Sequence, residues 1–214
     1  MKELRYSLLS DGSSDRALIP ILTWLLRQHV PDTAIQPEWA DLRHLPRPPR
    51  DLPERIQTTL EYYPCDLLFI HRDAESAPLQ TRIEEICEAI KGVNPKIEIP
   101  FICVVPVRMQ EAWLMFDSQA IRRAAGNPSG KKSLDLPPLR EVEDIRDPKK
   151  MLYRLLREAV GLHGRRLKQS RPQAAVQRIP EFIDDFSPLR TLPAFRHLED
   201  EIMRFGRYGR RHPQ

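Results

Sequence analysis

The sequence predicts an α/β protein: a mainly parallel sheet with helices on both faces, followed by a helical extension. Three observations predict it. Through residues 1–123, short apolar runs alternate with segments whose apolar residues recur at helical spacing. Acidic residues stand where those runs end: Asp11 and Asp15 after Tyr6–Ser10, Asp73 and Glu75 after Leu67–Ile70, Glu111 after Phe101–Val107. The texture then changes, from a proline- and glycine-marked connection over 124–148 to basic, helix-patterned sequence over 149–214 that is expected to pack on the core.

Taken in order, Tyr6–Ser10 reads as the first strand. The turn Asp11–Ser14 leads into DRALIPILTWLLRQH, whose Leu18, Ile21, Leu22, Leu25 and Leu26 predict a buried helix with Pro20 in its first turn. Ala34–Leu42 is a weaker strand. LPRPPRDLP, residues 45–53, is a proline-rich connector before a short helix carrying Ile56, Leu60 and Tyr63. Leu67–Ile70 predicts a central strand. Ile83, Ile86, Cys87 and Ile90 predict an amphipathic helix ending near Gly92, and Phe101–Val107 the next strand. In the second half, Leu152, Leu155, Leu156 and Ala159 mark one helix, Gln173–Ile179 another, and Phe195, Leu198 and Ile202 the last.

Charge divides unevenly. Residues 1–120 hold 13 basic and 18 acidic side chains, and residues 121–214 hold 21 and 12. An acidic front half suits cations and a basic back half suits phosphate backbones, although solvated helix faces account for the arginines equally well. No apolar run approaches the roughly 20 residues that span a bilayer, and MKELRYSLLSDG does not read as a signal peptide. Cys65, Cys87 and Cys103 are odd in number and form no CxxC pair, so they read as reduced thiols in a cytoplasmic protein without a membrane association.

In a parallel sheet the strands' carboxyl ends share one edge, so acids a hundred residues apart can converge there. Converging carboxylates are unstable unless protons or a cation neutralise them, and hard oxygen ligands suit Mg²⁺ or Mn²⁺. The competing reading is that acids at strand ends are helix caps, which suits Ser13, Ser14 and Asp15 best. SDGSSD has neither the spacing and lysine of a P-loop nor the GxGxxG of a dinucleotide site, and no GxSxG elbow accompanies its serines. Trp113 reads as a core anchor, and His71 as a structural hydrogen-bonding residue. The terminal FGRYGRRHPQ is either a single-strand-binding tail, through Tyr208 and its arginines, or a disordered one.

The ordered motifs LLSDGSSDRALIPIL, DLLFIHRDAE, VRMQEAWLM and DPKK with a downstream lysine resemble a TOPRIM-like domain-of-unknown-function family of bacterial phage-defence gene clusters, related to the TOPRIM domains of OLD-type nucleases. The resemblance runs from the first strand to about Leu198. It implies a TOPRIM/Rossmann-like sheet and metal-dependent phosphodiester chemistry on DNA or RNA. It also implies a role as effector in anti-phage defence, beside an AAA or ABC-type ATPase encoded nearby. Asp11 takes the place of the family's glutamate and Asp73-Ala74-Glu75 that of its Asp-x-Asp; both keep charge and change reach by one methylene.

Phosphodiester hydrolysis needs an activated water, charge stabilisation on the non-bridging oxygens and help for the leaving alkoxide. Asp73 and Glu75 are assigned as principal ligands, Asp11 as ligand or general base, Glu111 as a further ligand, and Asp15 as a ligand through water or a cap. Lys168 matches the family's downstream lysine and is the candidate to stabilise the transition state. Arg165, Arg166 and Arg171 around it, with Lys149 and Lys150, are the candidate nucleic-acid contacts; an exposed basic loop without chemistry is the alternative for the segment. Two functions follow: a TOPRIM-type nuclease, or a non-catalytic TOPRIM-like subunit that binds or regulates a partner. Either is compatible with an oligomer.

Overall fold

The computed structural model describes residues 2–93, 97–161 and 172–208. Four strands, β1 (Lys2–Leu9), β2 (Thr33–Trp39), β3 (Leu67–His71) and β4 (Phe101–Val104), form one all-parallel sheet in the order β2-β1-β3-β4. The helices between them are α1 (Leu18–His29), α2 (Leu52–Tyr62) and α3 (Leu79–Lys91); α4 (Ser118–Ala124), α5 (Pro148–Val160), α6 (Pro172–Val176) and α7 (Pro193–Tyr208) follow. The expected class is therefore the observed one.

Strand alternation gives the sheet two apolar faces. Tyr6, Leu8, Leu67, Phe69, Ile102 and Val104 join the core that holds α1, α4, α5 and α7. Leu9, Leu68, Ile70, Cys103 and Val105 join a smaller core with Ile56 of α2 and Ile86 of α3. The chain winds from β1 outward to β2, then returns past β1 to β3 and β4. Right-handed crossovers put the connecting helix on opposite faces when the winding direction reverses, which matches α1 on one face and α2 and α3 on the other. Buried polar groups within the sheet are partnered: the Tyr6 hydroxyl donates to the Ile19 carbonyl at 3.0 Å, and the Ser7 hydroxyl to Tyr63 O at the end of α2, 2.9 Å.

The outcome differs from expectation at several ends. β2 stops at Trp39, and Leu42 instead enters a 3₁₀ turn, Leu42–His44, capped by Asp41. β4 stops at Val104, three residues early, because Pro106 has no N–H to continue a ladder. Residues 118–124 form α4, capped by Asp117, so the expected core boundary at residue 123 falls inside a helix. Part of the irregular connection, Leu139–Asp144, is a 3₁₀ helix. The expected Gln173–Ile179 helix is α6 at Pro172–Val176 followed by a turn. Trp113 is fully buried, edge to face with Phe195 of α7 at 5.4 Å, as a core anchor should be. Among the described residues no helix is long and apolar enough to cross a membrane.

Candidate functional site

The winding reversal leaves a crevice where the loops after β1 and β3 diverge, the place where open α/β sheets hold ligands. From the β1 side comes Asp15, on the 3₁₀ turn Ser13–Ala17 and only 5% exposed. Its Oδ2 accepts the Gly12 N–H at 2.7 Å, as a capping carboxylate would. Its Oδ1 looks the other way, accepting from the Gln110 side-chain amide at 3.0 Å and the Ser14 hydroxyl at 3.1 Å. Asp15 is thus both cap and crevice residue.

From the β3 side come His71 and Asp73. His71 Nδ1 lies 2.9 Å from the Val104 carbonyl, which can only accept, so Nδ1 carries the hydrogen. Its Nε2 then faces two carboxylates, Asp73 Oδ1 at 3.5 Å and Asp15 Oδ2 at 3.8 Å. Asp73 Oδ1 also accepts the Gln110 backbone N–H at 3.0 Å. Gln110 opens the 3₁₀ helix Gln110–Leu114 that follows β4, and the next residue is Glu111, 2% exposed.

Burial pushes the Asp73 carboxyl up to about 6, and the charges of Asp15 and Asp11 add to the rise while His71 and the Gln110 N–H oppose it. Burial also raises Glu111, with Asp73 and Asp15 pushing the same way and Lys149 pulling back. The charges of Asp15 and Asp11 thus reach Asp73, and those of Asp73 and Asp15 reach Glu111. Gln110, whose amide N–H is on Asp15, has its Oε1 buried without a hydrogen-bond partner among the described residues, which leaves a neutral oxygen donor unused. Among the described residues, no three His, Cys, Asp or Glu side chains stand ready-spaced around a common point for a metal ion. The donors nonetheless have the hard-oxygen chemistry that Mg²⁺ or Mn²⁺ takes, and the unpartnered Gln110 Oε1 fits that donor set.

Of the residues expected at this edge, Asp15 and Asp73 meet through Gln110, and Glu111 is buried next to it on the same 3₁₀ helix. Asp11 lies at the crevice rim, half exposed, with its carboxylate on Arg55 and 3.7 Å from Arg72 Nε. Glu75 points elsewhere. In an extended Asp-Ala-Glu the two acids would share a face, but Glu75 has a left-handed backbone, φ 53°, held by its N–H donating to Arg108 O at 2.8 Å. Its exposed carboxylate sits 3.5 Å from Arg82. Lys149 and Lys150 open α5, capped by Asp147, and Lys149 is the one near Glu111. Arg165, Arg166, Lys168 and Arg171, and the tail beyond Tyr208, lie outside the described residues.

Reading the sequence alone missed Gln110, the inward role of His71, and the arginines. Arg55, Arg72 and Arg82 all come from the acidic half of the chain, so the charge division concealed them. The one available signal was RMQE, where a glutamine, whose amide both donates and accepts, directly precedes a candidate ligand. No family model matches the chain, and neither does any curated protein or solved structure.

Proposed function

We propose that the chain is a Mg²⁺- or Mn²⁺-dependent hydrolase of phosphodiester bonds in nucleic acid, of the TOPRIM type that its motifs resemble. The observation that carries this reading is the meeting of buried Asp15 and Glu111 with half-buried Asp73 at the winding reversal of a parallel sheet, where Gln110 bonds both aspartates and keeps its own Oε1 without a partner among the described residues. Asp73, Asp15 and Glu111 would hold the ion, with Gln110 Oε1 as neutral donor and Asp11 at the rim. When bound, the ion supplies an activated water and neutralises charge on the scissile phosphate. The chain's own groups do the rest. Arg55 and Arg72 sit on Asp11, where they can transfer to a phosphate, and their planar guanidinium groups suit its oxygens. Lys149 is the cation on the Glu111 side, and the resemblance adds Lys168 as a stabiliser of developing charge. The resemblance also supplies the setting: a cytoplasmic effector of anti-phage defence working with an ATPase partner.

One observation favours a second reading. Asp11 and Glu75, the two positions that differ in length from the family's acids, are both occupied by arginines, as a non-catalytic binding or regulatory subunit would allow. The test is incubation of purified protein with single-stranded, duplex and RNA substrates in Mn²⁺, Mg²⁺ or EDTA. Metal-dependent cleavage lost in Asp73→Asn and Glu111→Gln is expected. Cleavage unchanged in Asp73→Asn overturns the assignment, and no cleavage by wild type even with an ATPase partner turns the reading to the regulatory subunit.

A further inference from the structure

A second cavity, about 210 Å³, opens beside the acidic crevice at the carboxyl ends of β1 and β2. It shares Ser10, Asp11 and Gly12 with the crevice rim, and its other walls come from the end of β2 and the segment after it, the proline-rich connector, and Arg55 of α2, which is paired with Asp11. Trp39, the last residue of β2, is fixed there by its indole N–H donating to Ser10 Oγ at 3.0 Å. The Arg43 guanidinium lies on the indole, 5.0 Å from the ring centroid.

Arg43 is held on a second side as well. Its Nε and Nη2 donate to the two oxygens of Asp41, each at 2.7 Å. Asp41 in turn caps the 3₁₀ turn through the Arg43 backbone N–H at 3.3 Å. These bonds hold the Asp41 carboxyl well below the usual range, at about 2, so the pair survives moderate acid. The arginine has therefore lost most of its rotational freedom before any ligand arrives. Its side chain is still 53% exposed, leaving the face away from Trp39 open.

A planar cation pinned on an aromatic ring with its outer face open is a stacking platform for another planar π system. Within a duplex the faces of the bases are covered by their neighbours, so only an unpaired base can use such a platform. The volume is below the range of drug-sized sites, which suits a single ring system. Arg50, on the same wall, donates its backbone N–H to Glu54, while its exposed guanidinium has no partner among the described residues.

We propose that this cavity seats one unpaired nucleotide of a single-stranded nucleic acid, its base stacked on Arg43 and its phosphate on Arg50, with the strand passing Asp11 toward the acidic crevice. The inference rests on the nucleic-acid reading above and narrows its substrate to a single strand, DNA or RNA.

The test is fluorescence anisotropy in EDTA with a labelled thymidine deoxy-oligomer, a uridine ribo-oligomer and a hairpin duplex of equal length. Arg43→Lys keeps the charge and removes the plane. It is expected to weaken both single strands roughly tenfold, the scale of one base stack, and to leave the duplex and the salt slope unchanged. Arg50→Ala should lower the single-strand salt slope by about 0.7. Asp41→Asn removes a negative charge while freeing the platform, so it should strengthen duplex binding and weaken single-strand binding, a pair of opposite signs that misfolding does not produce. Equal losses on single strands and duplex, no loss in Arg43→Lys, or no strand binding by wild type overturns the proposal. Because no metal is present, absence of cleavage elsewhere would sink the nuclease reading without touching this one.

Discussion

Asp73 carries the electrostatic cost of the candidate site in a single side chain. Its folded-state pKa of about 6 lies above the unfolded value near 4. The folded protein therefore keeps a proton that the unfolded chain has released, and the contribution of Asp73 to stability is most favourable below pH 4 and falls as pH rises from about 4 to about 6. Asp73→Asn keeps an oxygen for the Gln110 N–H and removes the charge. In EDTA the variant should be more stable than wild type by about 2 kcal/mol above pH 6, a figure reduced from the full shift because the side chain is 29% exposed. Urea melts from pH 4 to pH 8 measure this, and a constant gap across that range contradicts it. Saturating Mn²⁺ should reverse the order: wild type gains about 2.7 kcal/mol at a hundredfold excess over Kd, and Asp73→Asn gains little. Equal metal shifts in the two proteins would remove Asp73 from the ligand set.

At the scale of elements, α7 is locked against the end of α1 by both shape and charge. A Cβ at Gly206 would stand 2.5 Å from the His29 carbonyl oxygen, a backbone atom. Glycine to alanine in a helix ordinarily gains up to about 1 kcal/mol; here the overlap should reverse the sign, so Gly206→Ala is expected to lose roughly 1–3 kcal/mol in chemical denaturation. A stabilised variant would mean that α7 does not approach α1 this closely. Seven residues earlier on α7, Glu199 accepts from Arg190 at 2.7–3.0 Å and stands 2.8 Å from His29 Nε2. Burial raises the carboxyl, but the bonds from Arg190 and His29 outweigh it and hold it below its ordinary value. Its contribution is thus present above the unfolded pKa near 4.3 and is lost as pH falls below it. Glu199→Gln should destabilise by about 1–3 kcal/mol at pH 7, and the difference should shrink below pH 4 in the same melts.

At the scale of the whole molecule, the larger core draws on both halves of the chain: Leu8 and Phe69 of the sheet share it with Leu155 of α5 and Phe195 of α7. A chain ending after Gly126 would keep α1 and α4 on that sheet face but lose α5 and α7 from it. It is expected to bind a hydrophobic dye and show weak near-ultraviolet circular dichroism, the marks of lost packing; a cooperative melt and a native-like near-ultraviolet spectrum would show that residues 1–126 fold alone. The same sharing separates what was legible from what was not. The apolar runs Tyr6–Ser10, Leu67–Ile70 and Phe101–Val107 were enough to place the strands, because buried parallel strands need continuous apolar side chains on both faces. They also placed Asp11, Asp73 and Glu111 on one edge, since parallel strands end together. Sequence spacing carried no information on which groups those acids would meet. Gln110 reaches Asp15 across 95 residues and Arg55 reaches Asp11 across 44, and the turn of Glu75 away from Asp73 follows from a left-handed backbone held by Arg108 in the loop after β4. By itself the sequence determined the class of fold, the shared edge and the acids on it, because local apolar periodicity and strand direction suffice for those. Only the tertiary structure decided which acids are buried together and which are held by arginines, because that depends on strand order and loop path, and both are properties of contacts between residues distant in the chain.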